Sequence, residues 1–240
     1  MNAMAAHPLA HVFLETGNVE EGTRWLRGWL ASWDRPSVFA CHLTWHLALF
    51  RLAVGDLPDV TNLLGDVIGY CGRSTNALSD GSSLSWRLKL DGYDTDLPWP
   101  ELVALPDRPG FTFGNAHRAL ALAGQGDPDG LVSYGDLLEG LAASGHPTAG
   151  DCAEFTRALC DLIGGDPGPA GDRLMKLLPR FRNFGGSHAQ TEVFEDTTMA
   201  ALEMSGRRGQ AADLLTARLA RRRSGRDERW LARLRSGSKD

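Results

Sequence analysis

Histidine is the residue type whose placement in this sequence points most directly to chemistry. Seven are present, and an imidazole changes charge near neutral pH, which suits it to acid–base work or ligand binding. His42 and His46 stand four residues apart in an apolar helical stretch, so both project from one helix face. His46 precedes Gly55 by nine residues, and His117 precedes Gly126 by the same nine. In Gly185-Gly186-Ser187-His188-Ala189-Gln190 the two glycines break one helix and Ser-x-x-Gln opens the next as a capping box. His188 then lies in a first helical turn, where the helix dipole disfavours its protonated form and backbone N–H groups face an incoming anion or carbonyl.

These positions support a histidine-lined pocket. His46 or His117 would act as general base, and His188 with its helix N-terminus would stabilise developing negative charge. His11, His42, Trp45, Asp80, Trp86, Arg87, Asn115, Ser187 and Gln190 are the candidate substrate contacts, the tryptophans as flat apolar walls and the others as polar anchors. His42-x-x-x-His46 has the spacing of a two-histidine metal pair, yet neither an HExxH glutamate nor a CxxC pair completes it. No metal and no cofactor are therefore expected.

Positioning these side chains is the task of a repeating helical pattern. Glycine turns at Gly17, Gly55, Gly92, Gly126, Gly165 and Gly206 are spaced by 38, 37, 34, 39 and 41 residues. A helix ends at each turn and another begins directly after it. A period in this range, with two helices per unit, is the signature of a tetratricopeptide-type α-solenoid. The expected fold is all-α, about six helical hairpins in a curled solenoid, with residues 1–222 as one repeat domain and 223–240 as a charged tail carrying a short capping helix. Residues 94–111, which include Pro98, Pro100, Pro106, Pro109 and Gly110, depart from the repeat and are expected to form an irregular connection with at most one short helix.

Composition narrows the function classes. The chain has 240 residues, 42% hydrophobic and 23% charged, and a formal net charge of −5. It therefore lacks the basic field that nucleic-acid binding requires. The first residues have no cationic leader followed by an apolar core, and no apolar run is long enough to span a bilayer. Cys41, Cys71, Cys152 and Cys160 form no CxxC pattern and are expected as reduced thiols, which indicates a cytoplasmic protein. The near-absence of lysine, with only Lys89, Lys176 and Lys239, indicates a GC-rich, bacterial coding sequence. Serine-hydrolase elbows, P-loops and dinucleotide-binding glycine motifs are all missing.

Four stretches resemble the tetratricopeptide repeat protein 38 family. They are Ala10-His11-Val12-Phe13-Leu14-Glu15, the segment Cys41 to Phe50, Phe113-Gly114-Asn115-Ala116-His117, and Gly185 to Gln190, with Trp86-Arg87-Leu88 fitting the same order. The resemblance implies an all-helical repeat fold with an internal polar pocket, and it covers what would be the C-terminal half of longer members. Thr191-Glu192 and Asn115 stand where the family pattern implies Arg-Asp and an acid, consistent with a different substrate or a lost activity. The functional expectation is a small-molecule pocket, with or without acid–base catalysis in specialised metabolism. The alternative is a tetratricopeptide-type module that binds a protein segment without catalysis. Oligomeric state is not legible in these residues.

Overall fold

The computed structural model describes residues 3–33, 38–71, 74–93, 96–105 and 110–237. Among them all regular structure is helical. The first half comprises α1 (Ala3–Glu15), α2 (Val19–Ala31), α3 (Val38–Val54), α4 (Leu57–Cys71), α5 (Thr75–Leu90), the short α6 (Trp99–Val103) and α7 (Thr112–Gln125). Then follow α8 (Pro128–Ala143), α9 (Ala149–Ile163), α10 (Pro167–Leu177), a 3-10 turn over Leu178–Phe184, α11 (His188–Met204), α12 (Arg208–Arg221) and α13 (Gly225–Ser236). No described helix is long and apolar enough to cross a membrane.

One turn chemistry recurs along the chain. All six expected turn glycines have positive φ, between 70° and 93°, a region that costs an L-residue energy and glycine almost nothing. At each of them the glycine N–H reaches the carbonyl three residues back, and the next N–H reaches five residues back. Asn18 to Phe13, Asp56 to Arg51, Tyr93 to Leu88, Asp127 to Leu122, Asp166 to Asp161 and Arg207 to Leu202 all make the longer bond. These are Schellman caps, which satisfy carbonyls a helix end leaves open. Gly145 ends α8 in the same way, with His146 N–H on the Leu141 carbonyl.

From α1 to α9 alternate helices pack on one another, α1 on α3, α3 on α5, α5 on α7 and α7 on α9. The chain then folds back, because α11 packs on α5 and α13 on α3. Helix α5 is thus enclosed, and every residue from Ala77 to Leu88 is buried. Its composition fits that position. Ser82, Ser83 and Ser85 are small enough for close approach, and two of these hydroxyls are satisfied by carbonyls of their own helix, Ser82 on Leu78 and Ser83 on Asp80. A Cβ at Gly81 would come within 2.6 Å of the Leu102 side-chain tip on α6, so any larger residue there would make Leu102 shift.

The 94–111 connection does contain one short helix, α6; Asp94, Thr95 and residues 106–109, including Pro106 and Pro109, lie outside the described residues. The charged C-terminal segment forms α13, where Trp230, Leu231 and Leu234 join a second apolar cluster with Met199, Leu202, Ala211 and Leu215. One sequence expectation is corrected: Cys41 is not a reduced thiol but disulfide-bonded, and its partner's side chain lies outside those described. Cys152 and Cys160 are free, and burial pushes the Cys152 thiol up to about 12. Cysteine redox state therefore no longer argues for a reducing compartment.

Candidate functional site

Helices α1 and α3 each place two histidines, four residues apart, on the face toward the other helix. His7 and His11 come from α1, His42 and His46 from α3, and one ring nitrogen of each lies within 4.8 Å of the others. His7 Nε2 is 3.0 Å from His11 Nε2 and 3.1 Å from His42 Nε2. The His46 ring completes the group, 4.4 Å from His11 and 4.8 Å from His42 between centroids.

Asp80 on α5 orients the group from behind. Its Oδ2 lies 2.9 Å from His42 Nδ1, so His42 donates through Nδ1 and turns Nε2 toward the other rings. Trp45 stacks against His42 at 5.1 Å with only 17° between planes, and its indole N–H donates to Ser83 Oγ at 3.2 Å. The His42–Asp80 and Trp45–Ser83 contacts both join residues 38 apart, the same spacing as that between Gly17 and Gly55.

The four rings differ in their electrostatics. Burial lowers the pKa of His46 well below the ordinary value, and the three neighbouring imidazoles add to the effect. Burial and the same repulsion lower His11 to about 4 and depress His7. His42 is the exception: burial opposes its charge, but the Asp80 carboxylate and its hydrogen bond outweigh it and raise the pKa. Three neutral imidazoles thus surround one that carries the carboxylate's influence. His46 is fully buried, and among the described residues neither of its ring nitrogens has a hydrogen-bond partner.

A cleft open to solvent adjoins this group. His7 and His42 form part of its wall, with Phe39 from α3, Asn76 and Ser79 from α5, Phe113 from α7 and Gln190 from α11. Gln190 is held by the expected capping box, its Oε1 accepting the Ser187 backbone N–H at 3.0 Å.

Of the residues expected at the site, His11, His42, His46, Trp45 and Asp80 are brought together, and Gln190 reaches the cleft. His117 is buried elsewhere. Its Nδ1 donates to the Phe113 carbonyl at 2.7 Å, its ring lies against Phe113 and Phe194, and burial lowers its pKa to about 4. His188 is exposed and lines a different recess with Glu15, Thr191 and Glu192. Ser187 acts as the helix cap. Asn115 is buried, accepting from the Tyr134 hydroxyl at 3.1 Å. Trp86 is a core residue whose indole N–H donates to Thr197 Oγ1 at 2.9 Å.

Arg87 is also internal. Its guanidinium donates to the Ala189 carbonyl at 2.8 Å and lies 3.3 Å from Asp196. It belongs to a buried ionic network. Arg218 makes a two-point contact with Asp227 (3.0 and 2.7 Å) and a third with Asp196 at 2.7 Å. Arg226 pairs with Asp91 through two bonds and with Asp196 at 2.9 Å. Arg222 pairs with Glu192.

His7 escaped the sequence reading, although His7-x-x-x-His11 repeats the spacing of His42-x-x-x-His46. The network was missed too, because its partners are distant in sequence. No known protein family matches the chain, and no solved structure matches it.

Proposed function

We propose that this protein is a tetratricopeptide-type helical-repeat protein, akin to the tetratricopeptide repeat protein 38 family, that binds a small polar molecule in the cleft above its four histidines. The observation that carries the reading is the cleft's construction. Five helices that are distant in sequence (α1, α3, α5, α7 and α11) each contribute to one small recess, and the contributions mix amide, hydroxyl, imidazole and phenyl groups. Small-molecule sites have this character, an apolar wall with a few convergent polar groups. The repeat assignment is supported by the six equivalent Schellman turns at intervals of 34 to 41 residues.

The packing of α11 on α5 argues against the protein-segment alternative. A peptide-binding solenoid keeps a long concave surface open, whereas here the inner face of α5 is filled. Catalysis by His46 is disfavoured by its complete burial, His117 is buried against Phe113 and Phe194, and His188 lines a different recess. Among the imidazoles, His42 with Asp80 is the pair suited to proton transfer if the bound molecule is transformed.

Ligand-observed NMR with a library of small carboxylates, amides and sugars tests the proposal, repeated on Asn76→Trp. Asn76 is exposed at the cleft mouth, so a large side chain there blocks entry without disturbing the core. Binding by the wild type that Asn76→Trp abolishes is the expected result. Absence of any binder, or binders indifferent to the substitution, would refute it.

A further inference from the structure

We propose that His7, His11, His42 and His46 form a binding site for one divalent transition-metal ion of the zinc class, with Asp80 positioning His42. Three independent features lead there. First, the nitrogens converge. Around a tetrahedral ion with metal–nitrogen bonds of about 2.0–2.1 Å, neighbouring ligand nitrogens are about 3.3 Å apart, and the two shortest separations here are 3.0 and 3.1 Å.

Second, His42 has the outer partner that metal-ligating histidines require. Its Nδ1–H is engaged by Asp80, which fixes the tautomer and leaves the Nε2 lone pair facing His7. A carboxylate behind a ligating imidazole raises its basicity and holds its ring in place. Trp45 restricts the same ring from its face.

Third, hydrogen bonding alone leaves the group unsatisfied. A neutral imidazole has one donor and one acceptor, and His46 uses neither while being wholly buried. An unpartnered buried polar group costs about 1–3 kcal/mol. An ion would occupy a His46 lone pair and replace mutual repulsion among the rings by attraction to one centre. The donor set is all nitrogen, which suits zinc, copper, nickel or iron rather than magnesium or calcium. The two ligand pairs come from different helices, so the ion would also pin α1 to α3.

This site shares His7 and His42 with the wall of the cleft, but the two can fail separately, because Asn76 belongs to the cleft alone and His11 and His46 to the histidine group alone. The full chain, stripped with a chelator and checked for helicity by circular dichroism, is titrated with zinc ion by calorimetry and with cobalt(II) by visible absorption. One ion per chain, with the intense visible bands of a low-symmetry nitrogen site for cobalt, is expected. His11→Gln and the double variant His7→Gln/His11→Gln, on the partly exposed side, should weaken affinity more than tenfold while retaining helicity. Asp80→Asn should weaken it by about 10- to 100-fold. His188→Gln and Asn76→Trp should leave it unchanged, which separates this test from that of the cleft. Failure of the folded wild-type chain to bind either ion would overturn the assignment, as would binding that survives the double variant.

Discussion

Helix α5 serves two buried polar regions that solve opposite problems. Asp80 reaches the four histidines, and Arg87, two helical turns later, enters the arginine–carboxylate network. In the network five guanidiniums (Arg87, Arg218, Arg221, Arg222, Arg226) meet five carboxylates (Asp91, Glu192, Glu195, Asp196, Asp227), so the charges balance. Asp196 sits at its middle. Burial raises its pKa, but Arg226, Arg218 and Arg87 more than offset that and hold the carboxyl far below the usual range. The histidine group has four groups of one kind, a single carboxylate behind them, and an unpartnered ring at its base. The network is complete within the protein; the histidines gain a common partner only from outside. A fully paired buried ion cluster reads as architecture, whereas convergent imidazoles with one buried ring left unpartnered read as a site.

The largest effect expected follows from removing the middle of the network. Asp196→Ala strips a partner from three buried arginines and should destabilise the fold by about 3–5 kcal/mol, read by urea denaturation. A loss below about 1 kcal/mol would mean that water already enters the network and that the contrast is overstated.

The next concerns acid. His117 is buried and neutral, with its pKa lowered to about 4, while in the unfolded chain it returns to about 6.5. The unfolded state therefore binds the additional proton in this window. Stability from this group is complete above about pH 6.5 and is lost as pH falls toward 4, by about 3 kcal/mol in total. His117→Phe should remove that part of the slope in denaturation measured across the range. Parallel pH profiles for the two proteins would contradict it.

His46→Leu sharpens the comparison directly. In metal-stripped protein it replaces an unpartnered imidazole by an apolar side chain, and stability should hold or rise by about 1 kcal/mol. In zinc-saturated protein the same change should lower stability, because it removes a ligand. Equal effects in both states would dissociate His46 from any ion. A smaller effect is expected at the α11 cap, where Ser187→Ala should cost about 1 kcal/mol and leave zinc affinity untouched, as a thermal melt and a titration would record.

The all-α class and the positions of the glycine turns were legible in the sequence, the chemistry only in part. Each turn glycine could be placed because the left-handed C-cap is a local requirement that glycine alone meets cheaply. The Ser187–Gln190 capping box was legible for the same reason. Asp80 and the His42–His46 pair could be named from spacing, yet their meaning changed with His7. Its pairing with His42 depends on how α1 packs on α3. His117 and His188 were grouped with the others on repeat register, but register sets a helix face and not the distance between helices. Arg226 and Asp227 read as part of a charged tail because local charge density says nothing of a partner such as Asp91, 135 residues from Arg226.

The central contrast is tested most directly by crystals of the zinc-saturated chain measured at the zinc absorption edge. The account predicts one anomalous peak among the His7, His11, His42 and His46 nitrogens, about 2.0–2.1 Å from each, and none within the arginine–carboxylate network. Four imidazoles bonded only to one another or to water, with no peak between them, would contradict it.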